Sequence, residues 1–302
     1  RTRGYGVQLV ESHHSTLEHL QIEGLAVSDE GDMYPPERGN GIDLRKSNHN
    51  TIMYNRVSNM FDGIYVENGE GNLVVRNEVT DSRYGYHVMF SQSTTLRENI
   101  GYRNVTGAMI MSDRGSVTEN NNFAKQSENA TAQGILLFDT TGAVVSGNRI
   151  EGNRVGLFGQ GVADSRIVNN LFLGNFTGLE LYDAEQNELT GNHFIANVSQ
   201  AEVQIDGSNR VEANYWDDHA GLDLTGEGYS SLPYRTNSFF LRLTEQMPPY
   251  QIFFQSPGML LLEGLFASGD DSGLVDARPR MEPEPGIVSG EAGTRLSAGR
   301  AI

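Results

Sequence analysis

Two short phrases hold the side chains best suited to chemistry: His87-Val-Met89 and Met109-Ile-Met111, 22 residues apart. They offer one imidazole and three thioethers, with no thiolate because the chain lacks cysteine. Soft donors of this kind favour Cu(I) over zinc, magnesium or calcium. Thioethers need no deprotonation, so such a set binds across a range of pH. It can act only if the fold brings all four residues to one place.

The repeat pattern predicts that it does. Gly41, Gly63, Gly85, Gly107, Gly134, Gly156 and Gly178 open near-identical units, at intervals of 22 residues except for one of 27. An asparagine follows each glycine by fourteen residues, from Asn55 to Asn192. A fixed period of this size marks stacked units that bury a continuous core only together. With each glycine as position 0, apolar residues recur at position 1 (Ile42, Ile64, Tyr86) and position 3 (Leu44, Val66, Val88). They recur again at position 11 (Ile52, Val74, Leu96) and position 16 (Val57, Val79, Phe123). Period-two alternation marks short strands with one face buried. The pattern predicts an all-β protein, a right-handed parallel β-helix of about 22-residue coils.

Positions 2 and 4 then face outward. Successive coils read Asp43/Arg45, Tyr65/Glu67, His87/Met89, Met109/Met111, Leu136/Phe138, Phe158/Gln160 and Glu180/Tyr182. Neighbouring coils lie about 4.8 Å apart, so His87 is expected beside Met109 and Met89 beside Met111. Two readings of the resulting patch stand: a shallow, exchangeable copper site, or an apolar surface covered by another protein or by C-terminal helices. The asparagine column is read as an in-register turn ladder, asparagine also tolerating the left-handed backbone of tight turns.

The predicted organisation is a β-helix over 1–215 with an inserted loop at 28–40, a capping segment at 216–268 and a disordered tail at 269–302. Within the cap, Ser238 to Met247 and Pro257 to Ala267 read as two short amphipathic helices. The tail is rich in glycine, proline, serine and charge. A net charge of −17 argues against nucleic-acid binding and suits a cationic partner. The chain opens at Arg1 inside a repeat with no signal peptide, which reads as a trimmed N-terminus. His13, His14 and His49 read as turn histidines. Asp217, Asp218, Asp223 and Glu227 do not match a calcium-loop pattern and read as a polar turn.

Gly85-Tyr-His-Val-Met-Phe-Ser91 and Gly107-Ala-Met-Ile-Met-Ser112, on consecutive coils, resemble the NosD family. So do Asn214-Tyr-Trp-Asp-Asp218, the run to Arg235 and Gln255-Ser-Pro-Gly258. The resemblance covers about residues 41 to 265. It implies a periplasmic, non-enzymatic, copper-handling component of an ABC-type complex with an ATPase and membrane subunits. Within that complex it would receive copper from a chaperone and support maturation of nitrous-oxide reductase. By matching position, His87, Met89, Met109 and Met111 are the residues implied to handle Cu(I). Leu224-Thr-Gly-Glu-Gly228 departs from the family's Asp-Gly turn, which weighs against calcium.

Two other functions compete. A carbohydrate-active β-helix (lyase, epimerase or hydrolase) would use Tyr65, Phe138, Phe158 and Tyr182 to stack on sugars. Asp43, Glu67 and Glu180 would be its carboxylates, with Asp43 and Glu67 near enough to act as acid and base. A purely structural or adhesive solenoid is the third.

Overall fold

In the computed structural model, which describes residues 4–25, 38–126, 132–205, 208–236 and 273–289, each coil contributes three strands. One coil consists of Asp62–Glu67, Leu73–Val75 and Glu78–Thr80; the next of Tyr84–Met89, Thr95–Arg97 and Ile100–Tyr102. The strands stack into three nine-stranded parallel sheets, one strand of each sheet per coil. The chain is thus a parallel β-solenoid of the right-handed type, with no α-helix among the described residues. The two expected C-terminal helices and most of the loop at 28–40 lie outside the described residues. So do residues 127–131, which match in number the five extra residues of the long repeat.

Positions 1, 3, 11 and 16 fill the interior as their periodicity requires: Ile64, Val66, Val74 and Val79 are all buried, and so are their counterparts above and below. Near the C-terminal end the core becomes aromatic. Phe172, Phe194, Trp216 and Tyr234 stack with near-parallel rings, centroids 4.2 to 4.7 Å apart. In-register sheets hold like side chains at the coil spacing, so flat rings lie face on face in an offset stack.

The repeat glycines are required by close approach. A Cβ on Gly63 would lie 2.5 Å from the carbonyl oxygen of Gly85, and one on Gly85 would lie 2.5 Å from that of Gly107. The backbone leaves simple alternation at this point. Ile64 turns into the core, while Asp62, two residues earlier, sits with the outward residues of the next coil.

The asparagine column forms a continuous hydrogen-bonded ladder. From Asn55 to Asn192, each Nδ2 donates to Oδ1 of the asparagine one coil on, at 2.9 to 3.1 Å. That oxygen also accepts the backbone N–H of the same neighbour. One expectation needs correction: the left-handed residue of this turn is the one before the asparagine. Tyr54, Arg76, Glu98 and Asn120 have φ of 54° to 56°. The asparagine supplies the bonds, and its predecessor supplies the bend.

The tail also departs from expectation. Val275–Asp276 pairs antiparallel with Tyr234–Arg235, and Leu274 and Asp276 are buried. Residues 273–289 are therefore not a disordered tail. Leu274 completes the end of the core, and Asp276 terminates the asparagine ladder.

Candidate functional site

The outer face of the first sheet carries the residues singled out for metal binding. Strands Tyr84–Met89 and Thr106–Met111 pair in register, with His87 opposite Met109 and Met89 opposite Met111. On the preceding strand, Tyr65 stands opposite His87 and Glu67 opposite Met89. On the following strand, Leu136 and Phe138 continue the two rows. All four predicted residues share one face within two adjacent strands. The three methionines are half-buried.

The imidazole is less open than a shallow surface site requires, with only 6% of His87 exposed. Tyr65 and Tyr84 pack against it in T-shaped contacts, with centroids 4.9 and 5.0 Å away. Its Nδ1 lies 2.9 Å from Asp62 Oδ2. Its Nε2 is buried and has no hydrogen-bond partner. A buried polar atom without a partner carries a desolvation cost and calls for an explanation. On a strand paired in register with Met109 and Met111, a bare nitrogen at this position would suit a soft cation.

Asp62 is itself held from a second side. Arg83 Nε donates to Oδ1 at 2.9 Å and Nη2 to Oδ2 at 2.8 Å, a bidentate pair. Burial raises the cost of ionising Asp62, but the hydrogen bonds from His87 and Arg83 outweigh it and hold its pKa below the usual carboxylate value. The Arg83 guanidinium lies over Phe61 at 3.6 Å and Tyr84 at 4.2 Å. On the other row, the Tyr65 hydroxyl donates to Met89 Sδ at 3.0 Å. Burial, followed by the nearby Glu67 charge, pushes the Tyr65 phenol far up, so it stays a donor.

The other candidates separate. Asp43 is wholly buried and bound by Asn40, Arg45 and Gln8, so it is not an acid poised to meet Glu67. Glu67 pairs with Arg45 at 3.4 Å. Glu180 lies beyond Phe158 on the same face; burial, followed by the Glu202 charge, pushes its pKa up to about 7. His14 and His49 stack at 5.2 Å, and His13 Nδ1 accepts the N–H of Asn48. Asp223 accepts the backbone N–H groups of Thr225, Gly226 and Gly228, which closes a turn. Among the described residues, no group of three histidine, cysteine or acidic side chains could hold an ion.

Asp62, Arg83 and Tyr84 were not singled out from sequence. The available signal was position −1 of the grid. There an acidic residue stands directly before a repeat glycine, one coil ahead of the histidine.

Fold and site define a class: a parallel β-helix with an imidazole–thioether cluster on the outer face of one sheet. Residues 22–231 match the family model described as periplasmic copper-binding protein (NosD), and the chain belongs to that family. A relative in Pseudomonas aeruginosa, named a probable ABC transporter binding protein NosD, is 30% identical over 179 residues. That match covers 50% of this chain and 42% of the relative, so the chain spans less than half of the relative's length. Among solved structures, the mannuronan C-5 epimerase A-module of Azotobacter vinelandii superposes with a TM-score of 0.56 at 15% identity. It covers 67% of this chain and 58% of the epimerase. The periplasmic alginate epimerase has a TM-score of 0.48 at 13% identity, covering 70% of this chain and 60% of that one. At 15% identity the likeness to the A-module is one of fold, a weak guide to chemistry.

Proposed function

We propose that this protein is the periplasmic copper-binding and delivery component of an ABC-type transporter complex that supports copper-site maturation of nitrous-oxide reductase. Cu(I) is its cargo, bound by His87 Nε2 with Met109, Met111 and Met89, and the protein is not an enzyme. Its partners are an ATPase, membrane subunits, a donor chaperone and the reductase. The observation that carries this reading is the partnerless, buried His87 Nε2 on a strand paired with two methionines. Imidazole plus thioether is a donor set for a soft monovalent ion, and the family description and the name of the Pseudomonas relative agree with it. Anaerobic Cu(I) titration against a competing chelator tests it. Wild-type protein should bind, His87→Ala and Met109→Ala should each lose most of the affinity, and undiminished binding in both variants would remove the site assignment.

A second reading draws on the same His87. An imidazole oriented by a carboxylate, with tyrosine rings beside it, is also the arrangement of a general base acting on a sugar. Against it, Arg83 is committed to Asp62 and is not free to neutralise a uronate, and the net charge of −17 repels polyuronates. Release of unsaturated or epimerised uronate from alginate, abolished in His87→Ala, would favour it over copper handling.

A further inference from the structure

We propose that Asp62 is a positioning residue that presents the His87 lone pair to the metal. The proposal rests on the reading of His87 as a copper ligand. It adds that the ligand is built by a neighbour one coil away.

A neutral imidazole carries its proton on either ring nitrogen, and only the bare nitrogen can bind a metal. In water the two tautomers exchange. Here both oxygens of Asp62 accept from two nitrogens of Arg83 in a fork, so the carboxylate meets His87 as an acceptor. Nδ1 at 2.9 Å must therefore be the protonated nitrogen. In the neutral ring the lone pair is then on Nε2, the atom without a partner.

The ring plane is restrained as well. Tyr65 and Tyr84 pack against it in T-shaped contacts, at 70° and 85° to its plane. Arg83 cannot drift away with the carboxylate, because its guanidinium packs over Phe61 and Tyr84. The outcome is a carboxylate–imidazole pair of the kind that orients metal-bound histidines and raises their basicity.

This device is local to the site. Position −1 reads Asn40, Asp62, Tyr84, Thr106, Gln133, Val155 and Thr177 along the solenoid. The acid occurs in the coil that lies directly against His87. A carboxylate serving the fold alone would have no reason to coincide with the histidine.

The test uses the full chain. The tautomer of His87 in metal-free protein is read from long-range ¹H–¹⁵N correlations, and the structure predicts protonated Nδ1. Asp62→Asn should weaken Cu(I) binding by about 10- to 100-fold and mix the two tautomers, because an amide can donate as well as accept. Asp62→Glu, which keeps the charge, should restore part of the affinity and the Nδ1–H form. A wild-type ring protonated on Nε2, which needs no variant to observe, would overturn the proposal. So would wild-type affinity in Asp62→Asn while His87→Ala abolishes binding. If His87→Ala binds as wild type does, the copper reading itself fails, a result distinct from failure of the positioning role alone.

Discussion

Asn214 donates both its backbone N–H and its side-chain Nδ2 to a single oxygen, Asp276 Oδ2, each at 3.0 Å and across 62 residues of chain. Trp216 Nε1 donates to the same atom at 3.2 Å. The asparagine ladder thus passes through the solenoid and ends on a carboxylate delivered by the C-terminal segment. Each internal Oδ1 has donors from the coil before it; only the final asparagine needs an acceptor from elsewhere.

Asp276→Ala strands three buried donors. At about 1–3 kcal/mol for a buried group left without its partner, the variant should lose about 3 kcal/mol in urea unfolding monitored by Trp216 fluorescence. Asp276→Asn, which keeps one acceptor oxygen, should lose less. A midpoint unchanged in both would show that the end of the ladder carries no stability.

Gly85→Ala introduces a methyl 2.5 Å from the carbonyl oxygen of Gly107. Backbone must shift to accommodate it, at a cost of about 1–3 kcal/mol. Because the shift falls two residues before His87, Cu(I) affinity should drop along with the thermal midpoint. Alanine at the exposed Gly174, where no atom lies within 4 Å, has a φ of 61° and should cost only about 1 kcal/mol, with affinity unchanged.

Tyr65→Phe removes the hydroxyl that engages Met89 Sδ. If the metal uses that sulfur, the hydrogen bond competes with it, and a net value of about 1 kcal/mol corresponds to roughly a fivefold gain in affinity in the variant. A loss in competition titrations would instead place Tyr65 among the groups that support the bound ion.

Glu180 gives stability a pH dependence of known sign. Burial raises its folded pKa from 4.5 to about 7, so folding favours the protonated acid. That contribution is complete below about pH 4.5 and is lost as pH rises through 7. Glu180→Gln has no charge to acquire. It should therefore gain on wild type by about 2 kcal/mol between pH 5 and pH 8, measured by chemical denaturation at both values. A constant difference would refute the assignment.

The repeat and the interior columns could be read directly from the chain, since a period of 22 with alternating apolar residues leaves few other ways to bury them. Register followed from the same count, which is why His87 falls opposite Met109. Contacts that depend on side-chain direction at an irregular backbone were out of reach. The glycine break turns Asp62 outward toward His87; the grid gives its position but not that direction. Nor could spacing announce that His87 is covered by two tyrosines, or that Asp276 returns to receive Asn214. Composition suggested a loose tail, yet three buried donors and an open aromatic stack provided a reason to fold it. Period is a property of one strand of text; partnership between distant residues exists only once the chain is wound.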